Sequence, residues 1–168
     1  MAKYLKHEGG DLKEETPISE STGATDAEKV VQTGADGKLD ESLMPVGIGA
    51  PSKLITASET LAGGDFVNIW EDTGAFAVRK ADASTAGKRA HGFVREPVTE
   101  GQMATVYFDD TNDALSELTP GGYFLSATAP GGVSTTPPTA TGNISQKLGV
   151  AISATELDVE IQSPIILA

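Results

Sequence analysis

Cysteine is absent from the 168 residues, which removes disulfides, thiolate-bound zinc, iron–sulfur clusters and thiol catalysis at once. It also leaves the chain indifferent to the redox state of its compartment. Basic residues are scarce: 12 Lys and Arg stand against 24 Asp and Glu, a formal charge of −12. So acidic a surface does not hold nucleic-acid phosphate non-specifically, so no direct nucleic-acid partner is expected. Aromatics are 5% of the chain, which offers little of the ring platform a sugar site uses. No apolar run approaches the ~20 residues of a membrane span. The opening MAKYLKHEGGDLKEE has no apolar segment of the secretory type, so the expectation is a soluble product made in the cytoplasm. The one Asn-x-Ser triplet, at Asn143, is then read as chance.

Catalytic signatures are missing too. There is no nucleophile elbow, no zinc-protease spacing and no dinucleotide fingerprint. Gly87-Lys88 lacks both the upstream glycine of a phosphate loop and the Ser or Thr that should follow. The two histidines are His7, in a polar stretch, and His91, beside an apolar one. Without a base or nucleophile partner nearby, His91 reads as structural. No enzyme, cofactor or small-molecule substrate is expected.

What is present is punctuation. Gly (19) and Pro (9) make up about a sixth of the chain, which is turn-rich without being low-complexity. The length suits one domain of roughly 100–200 residues with an appendage. Composition divides it into 1–52 and 53–168. The first part carries 5 basic and 10 acidic residues and almost no clustered large apolar ones. Within it Asp36-Gly37 is a turn signal. Asp40 is placed to cap one helical turn through Leu43, stopped by Pro45. A second short helix is expected over 26–32 behind Asp26. Neither reaches the ~12–15 residues of an independently stable helix. The part reads either as a disordered tail or as an extended, mostly irregular arm that orders on a partner. Isolated apolar residues at Leu39, Leu43, Met44, Val46 and Ile48 suit the arm.

From Lys53 the pattern becomes short strands: DFVNIW (65–70), AFAVRK (75–80), QMATVYF (102–108), GYFLSA (122–127) and QKLGVAIS (146–153), bounded by Gly, Pro, Asp or Thr. In ELDVEIQ, Leu157, Val159 and Ile161 alternate strictly with Glu156, Asp158, Glu160 and Gln162, which predicts a half-buried antiparallel strand. Leu148, Val150 and Ile152 alternate with Lys147, Gly149 and Ala151 in the same way. PIIL finishes the chain as an edge strand opened by Pro164. The fold class is all-β, a small antiparallel barrel or sandwich preceded by the arm. A faint repeat runs through it. ETLAGGDFVNI and EPVTEGQMATV match at Glu59/Glu96, Leu61/Val98, Gly64/Gly101, Asp65/Gln102, Val67/Ala104 and Ile69/Val106, with a third echo at Leu118 and Gly121. An apolar residue, two spacers and a positive-φ glycine precede each strand.

Two clusters invite function. DDTNDALSE places Asp109, Asp110, Asn112, Asp113 and Glu117 within nine residues, oxygen ligands suited to a cation such as Ca²⁺. It lacks the sixth-position glycine of a calcium loop and reads as a solvated turn, so no metal is assigned. Between Arg79 and Arg95 lie five basic residues (Arg79, Lys80, Lys88, Arg89, Arg95) and one acid, Asp82. That local excess is either a docking surface for an acidic partner or a loop neutralised within the fold.

The stretch GADGKLDESLMP (34–45), ahead of a β domain containing AGGDFVNIW, GFVREPVTEGQMATVYF, LTPGGYFLSATAPGGVSTTPP and QKLGVAIS, resembles structural proteins of tailed-bacteriophage virions. Head decoration (cement) proteins are the nearest in style; tail-fibre, head-fibre and baseplate adaptor proteins are the alternative. The resemblance implies a non-enzymatic homotrimer on the outer capsid surface whose partner is the major capsid protein. It implies that Leu39, Leu43, Met44 and Ile48 anchor the arm in neighbouring subunits, and that Arg79, Lys80, Lys88, Arg89 and Arg95 orient the body.

Overall fold

In a computed structural model, residues 3–35, 37–44 and 50–168 are described, apart from the side chain of Glu41. The chain divides into two units, Met1–Gly49 and Ala50–Ala168. Among the described residues the regular structure is all strand, with two 3-10 turns and no α-helix.

The first unit opens with a hairpin the sequence reading did not anticipate, β1 (Tyr4–Glu8) against β2 (Asp11–Glu15). Gly9 and Gly10 make the turn at φ 65° and 95°, the two positive angles a two-residue turn between twisted strands requires. Its strands are charged rather than apolar. Cross-strand polar pairs hold it: Lys3 to Glu14 at 3.1 Å, Lys13 to Glu8 at 3.3 Å, and the Tyr4 hydroxyl donating to Glu15 at 2.8 Å. Farther along, Ile18 bridges Val31 in parallel. One expected turn is present: Glu41–Leu43 is a 3-10 turn, and the Ser42 amide donates to Asp40 Oδ1 at 2.9 Å. Pro45, Val46, Ile48 and Asp36 lie outside the described residues. The helix expected over 26–32 is corrected. The turn lies upstream, at Ala24–Asp26. One oxygen of the Asp26 carboxylate accepts from the Thr22 amide (2.6 Å) and hydroxyl (2.7 Å) behind it, and the other takes the Lys29 ammonium at 2.8 Å, so neither caps a following helix. Glu28 at φ 64° then breaks any helical continuation. No described residue of this unit is buried.

The second unit carries the core. Strands β3 (Ser52–Ala57), β4 (Phe66–Asp72), β5 (Ala75–Lys80), β6 (Gly92–Phe93) and β7 (Met103–Tyr107) pair in the order β3-β5-β4-β6-β7 and close on themselves as a barrel. The barrel is not purely antiparallel, as the sequence suggested: β3 meets β5 in parallel at Thr56–Ala77 and Ala57–Val78, and that contact closes the ring. A second, open sheet has the order β10-β9-β12-β13-β8, from β8 (Asp110–Asn112), β9 (Gly121–Leu125), β10 (Val133–Ser134), β12 (Lys147–Ala151) and β13 (Leu157–Val159). Between β10 and β12 in sequence, β11 (Ile144–Ser145) pairs with the C-terminal β14 (Ile165–Ile166).

There are two apolar clusters. Leu61, Val67, Val78, Ala104 and Val106 form one among the ring strands. Phe66, Phe93, Tyr123, Leu125, Ile144, Leu148, Leu157 and Val159 belong to the other. The neighbours Phe66 and Val67 fall in different clusters, as do Phe93 and Val94. Adjacent strand residues face opposite sides, so these strands are walls shared by both cores and read as apolar runs rather than alternations.

The repeat is physical. Leu61 and Val98 bridge each other, with amide-to-carbonyl distances of 2.8 and 3.0 Å. Gly64 (φ 88°) and Gly101 (φ 81°) turn the chain into β4 and β7. The alternation of Leu157 and Val159 inward with Asp158 outward also holds. That expected for Leu148, Val150 and Ile152 does not. A bulge between Lys147 and Gly149 shifts the register. Leu148 and Gly149 are both buried as a result, while Val150 and Ile152 are 40% and 60% exposed. A side chain at Gly149 would collide with the Asp158 carbonyl, which is why glycine occupies the bulge.

Candidate partner-binding surfaces

In the first unit, of the four arm anchors, Leu39 and Met44 are exposed and Leu43 is partly covered; Ile48 lies outside the described residues. Leu5, Leu12, Val30 and Val31 are exposed as well. Among the described residues of the unit, large apolar side chains are exposed or partly covered and none is buried. Asp40 and Ser42 fix the turn that carries Leu43, and the Ser42 hydroxyl accepts from the Ser21 amide at 2.8 Å.

In the body, the five basic residues that are close in sequence separate in space. Arg95 is engaged internally. Its Nη2 donates to Asp110 Oδ2 at 2.8 Å and to the Thr111 carbonyl at 2.7 Å. Asp113 lies 3.4 Å from Nε, and the guanidinium sits 4.5 Å above the Tyr107 ring. Lys80 pairs with Asp65 at 3.4 Å. Lys88 closes a turn with Thr85 and lies near Asp82, whose carboxylate accepts from the Ser84 amide and the Ser84 and Thr85 hydroxyls. Only Arg79 and Arg89 converge, both on Asn68. Arg79 Nε donates to Asn68 Oδ1 at 3.0 Å, and its guanidinium lies 4.3 Å over Trp70. Asn68 Nδ2 donates to the carbonyls of Gly87 (3.2 Å) and Arg89 (2.8 Å).

His91 completes this cluster. Its ring lies between two donors, the Ile69 amide 2.9 Å from Nδ1 and Arg89 Nε 2.9 Å from Nε2; a neutral imidazole has one acceptor nitrogen, so it accepts from one of them at a time. Burial, and then the Arg89 charge, push the His91 pKa below its ordinary 6.5. A base with a lowered folded pKa gives stability that is complete above its unfolded pKa and is lost as pH falls through the folded one. Stability should thus hold above pH 6.5 and decline below it. His91→Asn should flatten that limb in denaturant melts taken between pH 7 and 5; an unchanged slope would place the titration elsewhere.

The acidic turn makes contacts within the body. Asp110 faces Arg95. Asn112 is fully buried and donates to the Gly64 carbonyl at 3.0 Å, tying β8 to the turn before β4. No group of three or more His, Asp or Glu suited to a metal occurs among the described residues. The Thr111 amide, and then Arg95, hold Asp110 below the usual carboxylate range. Its contribution is therefore present above about pH 4 and lost in stronger acid. Arg95→Ala should cost about 1.5–3 kcal/mol, the range for charge-assisted hydrogen bonds. A thermal melt shifted by less than 1 °C would show those bonds to be replaced by water.

Two buried amides were not singled out from sequence, Asn68 and Gln146, and Asn112 was read only as part of the acidic turn. Gln146 is engaged through both ends of its amide. Its Oε1 accepts the Ala90 amide at 2.8 Å, and its Nε2 donates to the carbonyls of Ala90 and Gln162, each at 3.0 Å. It clamps the loop that carries Arg89 and His91. No family model, no curated protein and no solved structure matches the chain.

Proposed function

We propose that this chain is a non-enzymatic capsid decoration protein that sits as a trimer on the outer face of a phage head and bridges major capsid protein subunits. The supporting observation is the first unit: among its described residues Leu39 and Met44 are exposed, none is buried, and the longest regular element is a two-stranded hairpin, which is marginal alone in water. Such a segment gains definition from a surface that covers it. The sequence resemblance to virion structural proteins supplies the identity of that surface.

The mechanism is mechanical. A filled head pushes its coat subunits apart at their seams. A ligand that binds several subunits only in the expanded arrangement shifts the lattice toward that state by mass action, and many copies need only modest affinity each. The net charge of −12 keeps free copies apart until they meet a specific surface. On the body, Phe76 is 82% exposed and lines one surface groove with Leu54 and Met103, apolar area that a second copy would cover in the trimer.

A density map of purified particles, with the copy number measured by quantitative mass spectrometry, tests the reading. Hundreds of copies on the outer shell are expected. A few copies at a tail or vertex would replace it with the fibre or adaptor role.

A further inference from the structure

The ring of the body is wedged open at one corner. β3 runs beside β7 from Ser52 to Thr56, but it meets β5 only at Thr56–Ala77 and Ala57–Val78. Continued in the same register, Leu54 would face Ala75 and Ile55 would face Phe76. Those pairs are not made, and Ala75 and Phe76 pair with β4 alone. β3 and the β4–β5 hairpin therefore diverge. The wedge between them is a groove of about 380 Å³ whose lining includes Leu54, Ile55, Ile69 and Met103. Ile55 and Ile69 also pack on the apolar cluster of the ring strands, so the groove carries that core out to the surface.

A knob stands beside this hole. Phe76 is 82% exposed, two residues past the Thr73-Gly74 turn of the hairpin, both at positive φ. Glu71 is the residue directly opposite Phe76 across the hairpin, and opposite residues share a face. Lys53 lies at the groove. Both charged side chains are exposed, and neither has an ion pair or side-chain hydrogen bond with a described residue.

These features select the occupant. An acidic partner would be drawn to Lys53 and repelled by Glu71, and a basic one the reverse. A second copy of the chain brings both signs in the right order. When its Phe76 enters the groove, its Glu71 is carried toward Lys53. The net charge of −12 opposes the approach of two copies elsewhere on the surface, and Lys53 offsets it at this contact. A knob and a hole side by side, an acid next to the first and a base next to the second, make the face complementary to its own copy.

We infer that this face is the contact between copies of the chain. The Phe76 ring of one body seats in the Leu54–Met103 groove of the next, with Glu71 of the first against Lys53 of the second. Repeated head to tail, such a contact closes into a ring. That the ring has three members rests on the proposed decoration role; the contact itself does not.

Sedimentation velocity of the full chain tests it. The parent should associate reversibly at micromolar concentration. Phe76→Ser should weaken association at least about thirtyfold, as expected for loss of a buried aromatic anchor. Lys53→Glu and Glu71→Lys should each weaken it about tenfold, and the double variant carrying both should return to within about threefold of the parent, since the pair is restored with its signs exchanged. All variants should keep the circular dichroism spectrum of the parent, because the three positions are exposed. Should Phe76→Ser unfold, the charge exchange decides alone. A monomeric parent would overturn the inference and leave the face to a partner of other chemistry. Association indifferent to a folded Phe76→Ser variant, or a double variant as weak as the single ones, would overturn it too. No phage head enters the experiment: this contact can fail with the chain still found on the shell, and it can hold with the chain found elsewhere.

Discussion

Gln146→Leu should lower the stability of the body by about 3–4 kcal/mol. The substitution keeps volume and removes all three hydrogen bonds of the buried amide. The Ala90 amide, the Ala90 carbonyl and the Gln162 carbonyl then stand in a site that was only 2% exposed at residue 146. Each buried group left without a partner costs about 1–3 kcal/mol, and the apolar burial gained by leucine offsets only part. For a body of this size, roughly 4 °C of melting temperature follows each kcal/mol, so a fall of about 12–16 °C is expected. Native-state hydrogen exchange gives the sharper reading. The Ala90 amide should exchange only through global unfolding in the parent and through local opening in the variant. A loss below 1 kcal/mol would mean that the loop finds other partners, and Gln146 would no longer count as the clamp that presents Arg89 and His91.

How far the sequence could be read is decided by where periodicity carries the information. AFAVRK became β5 with the expected bounds, and Leu157 and Val159 alternate inward, because both signals are local. β1 and β2 escaped because their residues are mostly charged and polar; the Gly9-Gly10 turn between them was the available clue. Val150 and Ile152 were misplaced by the bulge at Gly149. A register shift is set by the partner strand and leaves no mark on the strand's own pattern.

The candidate surfaces were legible to a lesser degree. Five bases close together in sequence suggested one surface, yet strand pairing places Arg95 beside Asp110 and Lys80 beside Asp65 and leaves Arg79 and Arg89 at Asn68. Charge counting along a chain cannot see which acids fold back onto it. Asn68 did carry a signal, a polar residue inside the apolar run FVNIW, and such a residue in a buried strand must be hydrogen-bonded by something. Gln146 carried none, since its partners at Ala90 and Gln162 are remote in sequence.

Deleting residues 2–50 should abolish attachment to expanded heads and leave the melting temperature of the remainder within about 1 °C. Every buried residue of the described chain belongs to the second unit, so the deletion removes no core and costs the body little. The attachment is a different balance. Burying an aliphatic side chain of the size of Leu39, Leu43 or Met44 on a partner contributes about 1.5–3 kcal/mol, against the ordering of a segment that has no core of its own. Replacing those three by Asp removes the gain and keeps the cost, which amounts to about a thousandfold or more in affinity. Sedimentation of purified heads with the parent, the truncated and the triple-Asp chains measures it. Exchange of the arm amides should be fast in the free protein and slow on the head, which ties the loss to ordering rather than to a changed body. Undiminished co-sedimentation of the truncated chain would take the arm out of the mechanism and leave the body's own surfaces to carry attachment.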